Sequence, residues 1–190
     1  MKDTEILEAV EATERYFGPR CGKYSGALTV EIIRRALQQE GVLVSPRDVF
    51  IRGIPVEVDL ILPRKGVVPR DDLVYEPQDV LMAVEVKKSG SFGDKTIEAV
   101  RRNAETLRTA SPWIICSCLV LSEREGYCWA LTDENATCKT YTMFWHRGEG
   151  TKRIQRSTGD WKRFLADVRS TPPVYFLKPA GNSRFPKPIL

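Results

Sequence analysis

Charged residues interrupt an apolar segment near the middle of the chain at alternating positions. The segment runs Val80-Leu-Met-Ala-Val-Glu-Val-Lys-Lys-Ser-Gly90 and contains Glu85 and Lys87 two residues apart. Side chains alternate between the two faces of a β-strand, so a strand here places Glu85 and Lys87 on one face and Val86 on the other. Because burying a charge is costly unless a partner or a metal ion compensates it, the pattern indicates a functional site.

A second apolar segment upstream has the same alternation. Glu57 and Asp59 interrupt the run from Ile54 to Leu62, which predicts a half-buried strand with both carboxylates on one face. If this strand pairs with the first one as an antiparallel hairpin, Asp59 converges with Glu85 and the neighbouring lysine. Two carboxylates beside a lysine suit Mg²⁺, which takes one or two protein carboxylates together with waters or substrate phosphate oxygens.

The connection between the two strands is long and contains further acidic residues. Asp79 is the nearest of them to Glu85, only six positions before it in the sequence. It therefore belongs to the same strand as Glu85 or to the start of that strand, and cannot supply the paired-strand geometry. Asp59 is the better candidate for the second carboxylate.

Apolar periodicity predicts the other elements of the chain. Helical spacing occurs at residues 4–17, 26–40 and 96–108 and from Asp160 onward, and apolar strand-like runs occur at 113–121, 127–131 and 140–145. The order strand, helix, strand after residue 80 implies a right-handed crossover and a parallel strand pair. Together with the hairpin, this order predicts an α/β fold with a mixed sheet.

These motifs resemble the signature of the PD-(D/E)XK nuclease superfamily, which has the restriction-endonuclease-like fold. That signature is an acidic residue at the end of one strand, Glu-x-Lys on the next and often a glutamate on the preceding helix. Asp59 matches the acidic residue, although Val58 stands where the family has proline, and Glu85-Val86-Lys87 matches the second motif. Glu31 is the best match for the helix glutamate. The resemblance covers about residues 25–120.

The resemblance implies a restriction-endonuclease-like core, in which a mixed central β-sheet is flanked by α-helices, and a metal-dependent active site. Asp59, Glu85 and the backbone carbonyl of Val86 would hold Mg²⁺, for which Mn²⁺ can substitute. Lys87 would orient or deprotonate the attacking water and stabilise charge on the phosphate. Glu31 would complete the outer shell of the site or hold a second ion.

Length and composition fit a single domain over residues 1–190. The resemblance implies that this domain is nuclease-like, with its core at about 25–145 and a basic C-terminal helix and proline-rich tail at 146–190. The five cysteines have no zinc or iron–sulfur spacing, so we expect reduced thiols. The single histidine, His146, argues against a catalytic triad or a histidine-rich zinc site.

No apolar run is as long as a membrane span and the charged N-terminal sequence lacks a signal-peptide pattern, so we expect a cytoplasmic protein without membrane contact.

The net charge of +4 hides an asymmetry between the two ends of the chain. Residues 1–18 contain five acidic and two basic residues, whereas residues 147–190 contain ten basic and three acidic ones. A basic region suits a polyanion partner such as DNA, although a solvated face that only maintains solubility has the same composition. The candidate nucleic-acid-binding residues are Lys88, Lys95, Arg101, Arg102, Arg153, Arg156 and Arg163. The proline-rich end is a candidate for contacts in a homodimer.

The sequence therefore predicts a Mg²⁺-dependent nuclease that hydrolyses phosphodiester bonds, with DNA as the expected substrate. Two alternatives remain open. A binding module with the same fold would hold nucleic acid or another subunit without cutting, and its behaviour would not depend on Mg²⁺ or Lys87. An assembly protein would use Glu85 and Lys87 only as a salt bridge and would have no affinity for nucleic acid.

Overall fold

The structure, a computed structural model, describes residues 3–17, 22–67, 73–88, 94–122, 138–147, 154–157 and 159–171. Within these ranges the helices are Asp3–Phe17 (α1), Gly22–Gln39 (α2), Asp94–Ala110 (α3) and Asp160–Ser170 (α4). The strands are Val49–Ile51 (β1), Ile54–Val58 (β2), Leu60–Pro63 (β3), Val74–Tyr75 (β4), Val80–Lys88 (β5), Ile115–Ser122 (β6), Lys139–Arg147 (β7) and Ile154–Ser157 (β8). The strand predicted at 127–131 lies outside the described residues.

Among the described strands, five form the larger sheet, in the order β3-β5-β6-β7-β8. β3 and β5 are antiparallel, β5, β6 and β7 are parallel to one another, and β8 is antiparallel to β7. The antiparallel β3–β5 pair and the parallel β5–β6 pair joined through α3 confirm the hairpin and the crossover that the sequence predicts. The fold is α/β with a mixed sheet.

The apolar run from Ile54 to Leu62 does not form one continuous strand. β2 joins a smaller sheet of order β2-β1-β4, whereas β3 joins the larger sheet. The chain bends between them at Asp59. The buried residues of β2 all pack in one hydrophobic core, whereas Leu60 and Leu62 of β3 pack in another. The bend places Asp59 at the point where the two sheets meet.

Two hydrophobic cores lie on opposite faces of the larger sheet. On one face, Val84 and Val86 of β5 pack in a core with residues of α1, α2 and α4. On the other face, Ala83 packs in a core with residues of α3 and the smaller sheet. Because side chains alternate along β5, Glu85 and Lys87 point to the face that α3 covers.

A glycine with a positive φ lies just after the end of α2, and another lies just before the start of α4. α2 ends at Gln39, and Gly41 adopts a φ of 75°, a left-handed conformation that glycine tolerates without strain. The apolar stripe of α4 is confirmed, since Trp161, Phe164 and Leu165 are buried. Gly159 caps the N-terminus of α4, and the carboxylate of Asp160 accepts a hydrogen bond from the Thr142 N–H at 2.8 Å.

Of the cysteines that the structure describes, Cys116 and Cys118 lie in β6 and Cys138 directly precedes β7. Cys116, Cys118 and Cys138 are buried and carry free thiols. None of the helices in the described ranges is both long enough and apolar enough to cross a membrane.

Candidate active site

Asp59 is placed by the pairing of the two strands on which the acidic motifs lie. Leu60 pairs with Val84 in the antiparallel ladder, so the residue before Leu60 lies beside the residue after Val84. Asp59 therefore stands next to Glu85. Its Oδ2 atom accepts a hydrogen bond from the Val86 N–H at 2.7 Å, which ties the carboxylate to β5.

Glu85 and Lys87 share a face of β5, and their side chains form an ion pair through Glu85 Oε1 and Lys87 Nζ. The same Nζ atom lies 3.9 Å from Asp59 Oδ2. The three side chains are largely buried, with 19% of Glu85, 20% of Asp59 and 29% of Lys87 exposed. The structure thus brings the three residues together as the predicted hairpin requires, and leaves solvent access to each.

The electrostatics of the site follow from this burial. Burial raises the pKa of Asp59, against the effects of the Lys87 ammonium and the Val86 N–H. Burial and the Asp59 carboxylate raise the pKa of Glu85 to about 7. Burial acts to lower the pKa of Lys87, but the two carboxylates outweigh it and the pKa is raised. One ammonium therefore compensates two carboxylates, and the site has an excess of negative charge when all three groups are ionised.

This donor set fits a hard divalent cation. Two carboxylates that repel each other would be stabilised by a second positive charge, and their oxygens are the atoms that Mg²⁺ prefers. The N–H and C=O groups of one residue in a strand point to the same side, so the Val86 carbonyl also faces the side of β5 on which Asp59 lies. Among the described residues, no cluster of three or more His, Cys, Asp or Glu side chains could hold a metal ion. Asp59 and Glu85 would have to share the ion with water or phosphate oxygens, as Mg²⁺ permits.

Several known structures share this architecture, although no family model matches the chain and no curated protein matches its sequence. NucC of E. coli MS115-1 in its cAAA-bound form aligns with a TM-score of 0.63 and 11% identity over 90% of this chain and 88% of that chain. NucC of P. aeruginosa ATCC27853, also cAAA-bound, aligns at 0.60 and 8% identity over 90% and 89%. The apo form of the E. coli protein aligns at 0.54 and 12% identity over 94% and 96%.

The chain has a restriction-endonuclease-like fold. NucC is a nuclease with this fold, so the similarity agrees with the mixed sheet and flanking helices described above. At these identities the similarity establishes the fold alone. In the restriction-endonuclease-like fold of this chain, Asp59, Glu85 and Lys87 occupy the meeting point of the two sheets.

Glu31 lies on α2 and pairs with arginines of its own helix. Its Oε2 accepts from Arg34 Nε at 2.7 Å and its Oε1 from Arg35 Nε at 2.8 Å. The hydrogen bond from Arg34, and less strongly that from Arg35, lower the pKa of Glu31 to about 2, although burial acts the other way. Among the described residues, its hydrogen bonds and ion pairs are with these two arginines. The structure does not join Glu31 to Asp59 or Glu85, and its catalytic role stays a prediction.

The candidate nucleic-acid-binding residues divide between the two faces of the larger sheet. Lys95, Arg101 and Arg102 are exposed on α3, which covers the face of Glu85 and Lys87. Arg163 is exposed on α4, which packs on the opposite face, and forms an ion pair with Asp160 at 2.9 Å.

The remaining basic candidates are less fully placed. Lys88 ends β5 and Arg156 lies in β8, but their side chains are outside the described part, as is the whole of Arg153.

Sequence reasoning missed two residues that surround the site. Asp48 precedes β1 with a φ of 57°, and its charge raises the pKa of Asp59 further. Cys118 of β6 pairs with Glu85, is fully buried, and has a pKa raised well above its usual value by burial. The sequence contains no signal for Asp48, since its position depends on tertiary contacts. Cys118 stands out only as a small residue in a buried strand.

Proposed function

We propose that this protein is a Mg²⁺-dependent nuclease that hydrolyses phosphodiester bonds in DNA. The observation that supports this function is the convergence of Asp59, Glu85 and Lys87, two carboxylates and an ammonium, at one partly exposed point. The fold is that of the NucC nucleases, which raises the expectation of nuclease chemistry without assigning it.

In this proposal Asp59, Glu85 and the backbone carbonyl of Val86 would hold the cation beside the scissile phosphate. A bound Mg²⁺ would neutralise charge on the phosphate and favour the hydroxide form of a nearby water. The Val86 N–H holds Asp59 Oδ2 in place, so the carboxylate needs little rearrangement to serve as a ligand. The repulsion between the two carboxylates is the physical reason for expecting a cation there.

Lys87 would act on the reacting groups themselves. Its ammonium lies within reach of both carboxylates and is partly exposed, so it can contact a phosphate that approaches them. There it would orient the attacking water and stabilise the negative charge that develops on the phosphate oxygens. The basic side chains on the exposed surface of α3 would bind the DNA backbone on the same face of the sheet.

Cleavage of plasmid and of single- and double-stranded oligonucleotides, including an RNA strand, tests this proposal. The assay uses Mg²⁺, Mn²⁺, Ca²⁺ or EDTA, each with and without cAAA because two of the NucC structures contain it. We expect cleavage with Mg²⁺ and Mn²⁺, little turnover with Ca²⁺, which activates water poorly, and none in EDTA.

Asp59→Asn should lower the cleavage rate by orders of magnitude, because it removes a hard anionic ligand. Glu8→Gln, an exposed change on α1, is the matched control and should cleave normally. Full activity in excess EDTA would contradict the metal dependence. A folded protein that binds DNA but cleaves nothing under any of these conditions would instead identify a binding module.

A further inference from the structure

The strand that begins next to Asp59 lies at the edge of the larger sheet, and a segment from outside the sheet binds its free side. Among the described strands, β3 pairs only with β5. On the other side, the Ser45 N–H donates to the Ile61 carbonyl at 2.9 Å, and the Ile61 N–H donates to Ser45 Oγ at 2.8 Å. Ser45 therefore makes two hydrogen bonds to Ile61, one through its backbone and one through its side chain, in the place where a neighbouring strand would bind.

Ser45 is fully buried, and its hydroxyl is used as both donor and acceptor. While it accepts from Ile61, its Oγ also donates to the Pro46 carbonyl at 2.6 Å. A hydroxyl that is engaged in both directions holds one orientation. The Ile61 N–H would be left without this buried acceptor if the hydroxyl were removed.

Three residues further along, the same segment binds Asp59 directly. The Asp48 N–H donates to the Asp59 carbonyl at 3.1 Å, with Asp48 in the left-handed conformation that residues other than glycine rarely adopt. We call residues 45–48 the edge strap. The edge strap holds the Asp59 backbone from outside the sheet, while the Val86 N–H holds its carboxylate from inside the sheet at 2.7 Å.

We propose that the edge strap positions the Asp59 carboxylate for the reaction, with Ser45 as a positioning residue. This inference rests on the proposed nuclease function for its catalytic consequence. Its structural content is independent of that function: loss of the Ser45 hydroxyl should loosen β3 at Ile61 and, two residues away, the hydrogen bond between Asp59 and Val86. A displacement of about 1 Å at a catalytic group can lower a rate about a hundredfold.

Ser45→Ala tests the proposal by three measurements. The kcat for DNA cleavage should fall by about tenfold to a hundredfold, while KM stays nearly constant because DNA affinity is spread over many phosphate contacts. Calorimetric titration with Mn²⁺ alone should show weaker binding than in the wild type. Amide hydrogen exchange followed by NMR should accelerate at Val86 relative to Leu119 on the neighbouring strand β6. Ser45→Cys, which replaces the hydroxyl by a slightly larger group that accepts hydrogen bonds only weakly, should change all three in the same direction and is used if Ser45→Ala does not fold.

Ser117→Ala is the matched control, because Ser117 is a serine of the same sheet that is 1% exposed. Within the described residues its hydroxyl has no hydrogen-bond partner, so its removal should leave kcat and the Val86 exchange ratio unchanged. Leu165→Ala on α4 is the control for general destabilisation, and should lower Tm without a selective change at Val86.

The outcomes separate the inference from the proposed function. If the Ser45 variants lower Tm but leave kcat and the ratio of Val86 to Leu119 exchange at wild-type values, Ser45 only stabilises the fold and the positioning role is overturned. If the wild type neither cleaves nucleic acid nor binds Mn²⁺, the proposed function fails. The exchange ratio then still decides whether Ser45 controls the position of Asp59.

Discussion

At the scale of single residues, the candidate site depends on one lysine facing two carboxylates. Lys87 is the only member of this trio with a positive charge, and it contacts Glu85 while lying 3.9 Å from Asp59. Its removal would leave two buried carboxylates without their compensating charge. Its position also lets it contact a substrate phosphate, so its proposed contribution is to the rate and not to the overall affinity.

Replacing Lys87 separates these two contributions. Lys87→Ala should reduce cleavage by about a hundredfold to a thousandfold, the range found when one group that stabilises transition-state charge is removed. DNA affinity should change little, because one phosphate contact is a small part of a sum over many. Single-turnover rates and filter-binding constants measure the two effects, with Lys65→Ala, an exposed lysine in the turn after β3, as the control. Equal reductions of rate and affinity would contradict this division.

At the scale of secondary structure elements, ion pairs within α2 involve Glu31, the residue that best matches the helix glutamate of the nuclease signature. Glu31 receives hydrogen bonds from Arg34 at 2.7 and 2.8 Å and from Arg35 at 2.8 Å. Residues three and four positions apart are neighbours on a helix surface, so the spacing of these residues is enough to explain the contacts. The network stabilises α2 whether or not Glu31 acts in catalysis.

The pH dependence of stability tests this network. The pKa of Glu31 is lowered from 4.5 to about 2, so its contribution is complete above about pH 4.5 and disappears as the pH falls toward 2. Because the pair is partly exposed and screened by solvent, we expect Glu31→Gln to lower the free energy of unfolding by about 1 kcal/mol at pH 7. Urea denaturation of both proteins from pH 7 to pH 2 should show this difference shrinking below pH 4.5. A constant difference would show that the ion pairs do not stabilise the fold, and cleavage by the same variant tests the catalytic prediction for Glu31.

At the scale of the whole molecule, the candidate site lies on one face of the larger sheet. The candidate site and α3 lie on one face, and the core formed with α1, α2 and α4 lies on the other. In the proposed function, DNA bound at Glu85 and Lys87 would lie on the same face of the sheet as the exposed basic residues of α3. Arg163 on α4 lies on the far side and is already paired with Asp160.

This arrangement predicts which basic residues bind DNA. Replacing Lys95, Arg101 and Arg102 together with alanine should weaken binding for all sequences and flatten its salt dependence, by about one unit of slope for each phosphate that the variant no longer neutralises. Arg163→Ala is the matched control on the opposite face and should bind normally. Affinity measured from low to high salt distinguishes the two surfaces. Normal binding by the triple variant together with weak binding by Arg163→Ala would place the DNA on the face of α4.

The sequence by itself determined the features that depend on local periodicity. Alternation along β5 was enough to place Glu85 and Lys87 on one face, and helical spacing was enough to predict the apolar stripes of α3 and α4. The order strand, helix, strand was enough to predict the parallel pair in a mixed sheet, because crossovers have a fixed hand. These inferences require only near neighbours along the chain.

Tertiary structure alone decided the features that join distant segments. The bend at Asp59 arises because β2 belongs to the smaller sheet and β3 to the larger one. The alternation of apolar and polar residues from Ile54 to Leu62 does not indicate which sheet each strand joins. The edge strap depends on hydrogen bonds from Ser45 and Asp48 to residues 59–61, and no motif in residues 45–48 indicates them. Long-range contacts also decide on which face of the larger sheet α3 and α4 pack. The number of basic residues in a segment does not indicate the face on which that segment packs. The acidic motifs could therefore be found from the sequence, whereas the means by which Asp59 is held beside Glu85 required the folded chain.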